Sequence, residues 1–261
     1  MLLAARTEPR RRAPAATVTW VMMIASFAVT AGSAGAMLDP FSFTRLVAVT
    51  GCVSAIAMAI TLAAIWGLET PAEPVVEATG SVAPEPGAAE FMAALREVLG
   101  EGHTRLFMLF VFTSMLAYSA QDLVLEPFAG AVFGLTPGQS TQLGGLQHSG
   151  VLAGMLLVAA IGALFGRDRT GVLRSCMFVG CLASAALLAS LAFAGFTGPP
   201  WPLHGNVFAL GVANGAFAVA AIGSMMGLVS EGSEGRDGMR MGVFGASQAI
   251  AFGLGGLAGT A

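Results

Sequence analysis

Gln121-Asp122-Leu123-Val124-Leu125-Glu126-Pro127-Phe128 closes a long apolar run with two carboxylates four residues apart and then a proline. One helical turn separates Asp122 from Glu126, so both fall on one face of the helix. Charge is costly at membrane depth, so a carboxylate pair at the end of a span marks a functional mouth or a structural latch. Pro127 has no N–H with which to continue the hydrogen-bond ladder, which predicts a helix end there. The next residues, Ala129-Gly130-Ala131-Val132-Phe133-Gly134-Leu135-Thr136-Pro137-Gly138, are apolar but interrupted by glycine and proline.

Outward from this stretch the chain keeps the same character. It is 56% hydrophobic and only 10% charged, with a mean hydropathy of +0.78. Soluble domains are about a quarter charged, so the composition implies a polytopic membrane protein built of helices. Seven runs approach the roughly 20 residues needed to cross the hydrocarbon: Thr17–Met37, Leu46–Gly67, Thr104–Gln121, Thr141–Phe165, Val172–Phe196, Gly205–Val229 and Met241–Ala261. The first lacks the cleavage context of a signal peptide and is followed by further spans.

All 12 basic residues are arginine. With a cytoplasmic N-terminus, the inner side holds Arg6, Arg10, Arg11, Arg12, Arg96, Arg105, Arg167, Arg169, Arg174, Arg236 and Arg240, and the outer side Arg45 alone. That asymmetry satisfies the positive-inside rule. The sizeable polar connection, Glu69–Gly102, carries Pro71, Pro74, Pro84 and Pro86 with several glutamates and reads as a cytoplasmic linker. Within it Phe91, Leu95, Val98 and Leu99 recur at helical spacing opposite Glu90 and Glu97, predicting a short amphipathic helix. Such a helix lies on the membrane surface or packs under the bundle, and both readings stand. Cys52, Cys176 and Cys181 sit in apolar runs without a CxxC pair, so neither a disulfide framework nor a metal site is expected. Nor is there a phosphate loop, nucleophile elbow or zinc signature, and the chain does not read as an enzyme or a nucleic-acid binder.

The carboxylate stretch with its glycine–proline continuation resembles the signature region of the PucC/LhaA family. So do Leu38-Asp39-Pro40-Phe41-Ser42 with Arg45-Leu46-Val47-Ala48-Val49-Thr50, and Arg240-Met241-Gly242 followed by Ala246-Ser247-Gln248-Ala249-Ile250-Ala251-Phe252-Gly253-Leu254-Gly255-Gly256. The resemblance runs from about Phe27 to the last residue. It implies a major-facilitator-like protein of a phototrophic bacterium, associated with bacteriochlorophyll delivery and light-harvesting complex assembly. Membrane lipid, antenna apoproteins and transiently bound bacteriochlorophyll are the partners it implies, and the inner photosynthetic membrane the location.

The turn Gly166-Arg167-Asp168-Arg169-Thr170-Gly171 resembles the cytoplasmic loop motif of major-facilitator transporters through Asp168, Arg169 and Gly171, although Leu164 stands where that motif usually has glycine. Linker and motif together imply spans five to eleven of twelve. Residues 1–68 would then be the last two spans of an N-terminal half, 69–103 the central linker, and 104–261 five spans of the C-terminal half. The final run stops at Gly259-Thr260-Ala261 with no closing loop, so a piece of a longer protein is expected.

Asp39, Gln121, Asp122, Glu126 and Pro127 form an expected polar signature of the outer face. It is either a gate that contacts a partner or a pigment, or a latch whose carboxylates accept backbone hydrogen bonds. Asp39 before Pro40 and Phe41 repeats the acid-proline-phenylalanine order of Glu126, which favours the latch. His148, preceded by Gln147, is the candidate pigment ligand, because neutral imidazole is a common metal ligand. Gly150 and Gly154 beside it would leave a smooth surface for a flat macrocycle; the bland alternative is a histidine hydrogen-bonded within the bundle. The other small-residue patterns, Gly162–Gly166, Gly211–Gly215, Gly223–Gly227 and Gly255–Gly259, read as close helix packing. No acidic residue lies near the middle of any run as bounded above, which weighs against the rival reading of a proton-coupled solute transporter. A pigment-free scaffold is the third reading.

Overall fold

Short polar and glycine–proline signals set the helix ends. The computed structural model describes residues 12–66, 88–164, 169–230 and 237–259. Among the described residues the chain forms eight helices and no strand: α1 (Arg12–Leu38), α2 (Phe43–Ile65), α3 (Ala88–Gly100), α4 (Gly102–Phe133), α5 (Pro137–Leu164), α6 (Arg169–Thr197), α7 (Leu203–Ser230) and α8 (Asp237–Gly259). α1 stops before Asp39-Pro40, and the Ser42 hydroxyl caps α2 by accepting the Arg45 N–H at 3.1 Å. Gly134 at φ 68° ends α4 in the left-handed conformation, its N–H on the Gly130 carbonyl at 3.1 Å. Thr136 then caps α5. Its N–H donates to Gln139 Oε1 at 3.0 Å and its hydroxyl accepts the Gln139 N–H at 3.2 Å, a reciprocal capping box with Pro137 in the first helical position. Gly198, at φ 69°, closes α6 in the same left-handed manner as Gly134 closes α4.

Six of these helices are long and apolar enough to cross a membrane: Val18–Leu38, Phe43–Ile65, Thr104–Phe133, Pro137–Leu164, Gly171–Thr197 and Leu203–Gly223. The seventh expected run is helical as α8, but its apolar part among the described residues is the shorter stretch Gly242–Leu257. The protein is therefore an all-helical, multi-pass membrane protein. Large apolar side chains on the outside, such as Phe178, Leu182 and Phe196, suit a lipid surround.

One expectation fails at Pro127. The residue lies inside α4, and the helix runs on to Phe133. Proline removes one ladder bond without ending a membrane helix whose neighbours support it, and the actual terminator is Gly134.

Two compact units interleave in sequence: residues 1–46 with 122–227, and 47–121 with 228–261. In the first, α5 lies between α1 and α7 with backbone against backbone. A Cβ on Gly35 would fall 2.6 Å from the Gly138 carbonyl oxygen, and one on Gly145 would fall 2.7 Å from Gly32 N. On its other side Gly150 meets Phe208 and Gly211, and Gly154 meets Val212 and Ala216, while Gly211 and Gly215 meet the Gln147 and Val151 carbonyls. Such approach leaves room only for glycine and supplies dispersion contact where lipid removes the hydrophobic drive. Two apolar clusters fill the remainder: Leu125, Ala129, Leu143, Leu191, Leu203, Val207 and Leu210 in one, and Ile24, Val151 and Met155 with Trp20 in the other.

In the second unit α3 packs on α8, and Val98 is fully buried. The amphipathic helix thus takes the packed alternative. Phe107 and Phe244 meet edge to face at 5.0 Å, and the Ser247 hydroxyl of α8 donates to the Met108 carbonyl of α4 at 3.1 Å.

Candidate functional site

The extension of α4 past Pro127 changes the depth of its carboxylates. Asp122 sits about 16 Å along the axis before Phe133 and about 5 Å from the middle of the Thr104–Phe133 span. Gln147 and His148 lie about 5 Å from the middle of the antiparallel Pro137–Leu164 span. Both sets therefore lie deep inside a hydrocarbon layer whose half-thickness is about 15 Å. The expectation that no acidic residue lies mid-run is overturned for Asp122, because the run was cut at Gln121 and the helix is longer.

Depth brings the signature residue and the ligand candidate into one cluster of the first unit. Gln147, only 2% exposed, donates its amide N–H to Asp122 Oδ1 at 3.3 Å. Glu126, one turn further along α4, reaches over Gly144: its Oε1 would lie 3.6 Å from a Cβ there. His148 Nδ1 lies 2.9 Å from the Gly144 carbonyl oxygen. A carbonyl only accepts, so Nδ1 carries the hydrogen and, in neutral imidazole, Nε2 keeps a free lone pair. The Phe27 ring of α1 stands edge to face with the imidazole at 5.4 Å and restricts its rotation. The cluster therefore combines an imidazole whose Nδ1 is held by a backbone carbonyl, an amide–carboxylate pair and an exposed carboxylate.

Asp39 lies elsewhere, in the α1–α2 turn. It accepts the Thr136 hydroxyl at 3.0 Å, while Arg45 Nη1 donates to the Asp39 carbonyl at 2.6 Å and the Pro40 carbonyl at 3.2 Å. This is a latch between the α1–α2 and α4–α5 turns, and Arg45 serves as its brace. The acid-proline-phenylalanine likeness between Asp39 and Glu126 is thus one of sequence alone, since only the former ends a helix.

The other candidate positions separate. Gly150 and Gly154 offer no open surface for a macrocycle, because α7 backbone occupies both. Gln121 is half-buried and ends the α4 portion of the second unit. Asp168 lies outside the described residues, and Arg169 and Gly171 fall in the first turn of α6. Among the described residues no group of three or more His, Cys, Asp and Glu is placed to hold a metal ion. Sequence reasoning missed Thr136 and Phe27. The Thr136-Pro137-Gly138-Gln139 capping pattern could have located the first, but nothing local marks the second.

A family model described as PUCC protein matches residues 1–261. The chain is 47% identical over 258 residues to the "Bacteriochlorophyll synthase 44.5 kDa chain" of Rhodobacter capsulatus, covering 99% of this chain and 58% of that protein. It is 28% identical over 267 residues to an "Uncharacterized protein in puhA-bchM intergenic region" of the same organism, covering 97% of this chain and 50% of that one. The chain thus spans about half the length of the curated relatives it matches. No solved structure matches it.

Proposed function

This chain belongs to the PUCC protein family, and on that premise we propose that it acts in the assembly of light-harvesting complexes, handling bacteriochlorophyll together with antenna polypeptides. The observation that carries this reading is His148, whose Nδ1 bond to the Gly144 carbonyl leaves Nε2 as the ring nitrogen that would face a ligand deep in the membrane. When bound, the pigment would supply a Lewis-acidic magnesium that an imidazole nitrogen can ligate. His148 would hold the metal and Phe27 would keep the imidazole from turning. Gly144 fixes the tautomer, the outer-shell role that tunes a ligating histidine. Gly150 and Gly154 belong to the scaffold that keeps α5 in place. We assign no bond-making step to the chain, although the first relative is named a synthase.

The test is co-purification from a bacteriochlorophyll-making host, with absorption spectra of the chain and of a His148→Leu variant. Near-infrared bands present in the first and lost in the second support the reading. A colourless chain that still retains antenna polypeptides leaves only the scaffold reading, and a colourless chain without them removes the proposal.

A second reading, a solute transporter of the same architecture, draws on the Asp122–Gln147 pair at mid-depth. It requires substrate uptake into vesicles that Asp122→Asn abolishes.

A further inference from the structure

His148 stands close to the middle of the α5 span, and Gly144 lies one turn before it on the same face. α1 brings Phe27 against this face, its ring 5.4 Å from the imidazole. α4 brings two acids. Glu126 Oε1 would stand 3.6 Å from a Cβ at Gly144, and Asp122 accepts the amide N–H of Gln147, the residue before His148. Among the described residues of the first unit no cation joins them. Arg45 is engaged with the carbonyls of Asp39 and Pro40, and Arg12, Arg169 and Arg174 stand near the starts of α1 and α6. Measured along α1 to Phe27, or along α5 from its far end to His148, that is more than about 20 Å away. A ligand on this face would therefore meet an imidazole, an aromatic ring and two acids.

We propose that the acidic α4 wall is a specificity filter, which admits a tetrapyrrole whose side-chain acid is esterified and excludes the same macrocycle with that acid free. The inference rests on the reading of His148 as the metal ligand. A macrocycle held there can turn about its axial bond, so two settings of the acid are compared. Turned toward α4, a free carboxylate faces Glu126 and Asp122, which supply no positive charge in either protonation state. Turned away, it faces the Phe27 ring at a depth where an unpaired carboxylate is costly. Neither setting offers a cation, whereas a neutral ester needs none. The chain accordingly takes up its cargo after the reaction that esterifies this acid.

The test titrates the purified chain in detergent with bacteriochlorophyllide and with its methyl ester. The two differ only at that acid, and both lack a long alcohol tail. Binding is read from the absorption change that accompanies axial ligation. The ester should bind about a hundredfold more tightly. Glu126→Arg places a cation on the α4 wall and should bring the ratio to about one or reverse it. Glu126→Gln adds no cation and should keep the ester preferred. Equal binding of the two pigments by the unaltered chain overturns the inference and leaves the His148 reading standing. An ester preference that Glu126→Arg leaves unchanged, in a variant with unaltered helical circular dichroism, overturns it as well. Binding of neither pigment, or binding that His148→Leu leaves intact, overturns the His148 reading and the inference with it.

Discussion

Replacing Gly145 by alanine tests whether backbone contact holds α5 against α1. The added Cβ would fall 2.7 Å from Gly32 N, 3.0 Å from Gly32 Cα and 3.1 Å from the Ala28 carbonyl oxygen. All three are backbone atoms, which cannot turn aside as a side-chain tip can. Ordinary contact begins near 3.4 Å, so the two helices must part by about 0.7 Å. Forced overpacking of this kind costs about 1–3 kcal/mol. Alanine also gains about 1 kcal/mol of helix propensity over glycine, so the comparison needs a control in the same helix. Gly162→Ala provides it, since nothing lies within 4 Å of its Cβ position. The propensity gain cancels between the two variants and the packing cost remains. Gly145→Ala should therefore unfold about 1–3 kcal/mol more easily than Gly162→Ala, roughly five- to more than a hundredfold in the unfolding constant. Trp20 packs with Ile24, Val151 and Met155 where α1 meets α5, and its emission in a Trp66→Phe, Trp201→Phe background reports the separation during titration with sodium dodecyl sulfate. Equal stability of the two variants would refute the account of α1–α5 packing given above.

Three further outcomes are expected. Thr136→Val removes both the α5 cap and the Asp39 latch, and should lower stability by about 1–2 kcal/mol in the same titration. Gln147→Leu strips Asp122 of its amide donor and should cost about 1–3 kcal/mol, most of it recovered in the double variant Gln147→Leu, Asp122→Leu, because two apolar groups leave nothing unsatisfied. With Cys52, Cys176 and Cys181 replaced by alanine, a cysteine at Ser42 should react with membrane-impermeant maleimide in whole spheroplasts and one at Arg96 only after lysis; the reverse order would invert the proposed orientation.

The fold was legible because lipid enforces long apolar runs, and the described part of every expected run is helical. The depth of Asp122 was not, because a proline in sequence looks alike whether it ends a helix or lies within one, as Pro127 does. A proline costs a single ladder bond, whereas the left-handed Gly134 followed by the Thr136 cap redirects the whole chain. His148 was recognisable as an isolated imidazole in an apolar run. Its tautomer was not, because that depends on which carbonyl the ring meets. Gly150 and Gly154 show the same limit in reverse: a glycine face looks alike in sequence whether a pigment or a neighbouring helix fills it, and here α7 does.

The sandwiching of α5 also bears on motion. Gly138 and Gly145 mesh with α1 on one side, and Gly150 and Gly154 with α7 on the other. Sliding α5 by a single residue, about 1.5 Å, would drive side chains into both neighbours. The three helices must consequently travel as one rigid slab. His148, with Gly144 and Phe27, then keeps its setting through any conformational cycle, and what can change is which molecules come up against that slab's exposed edge.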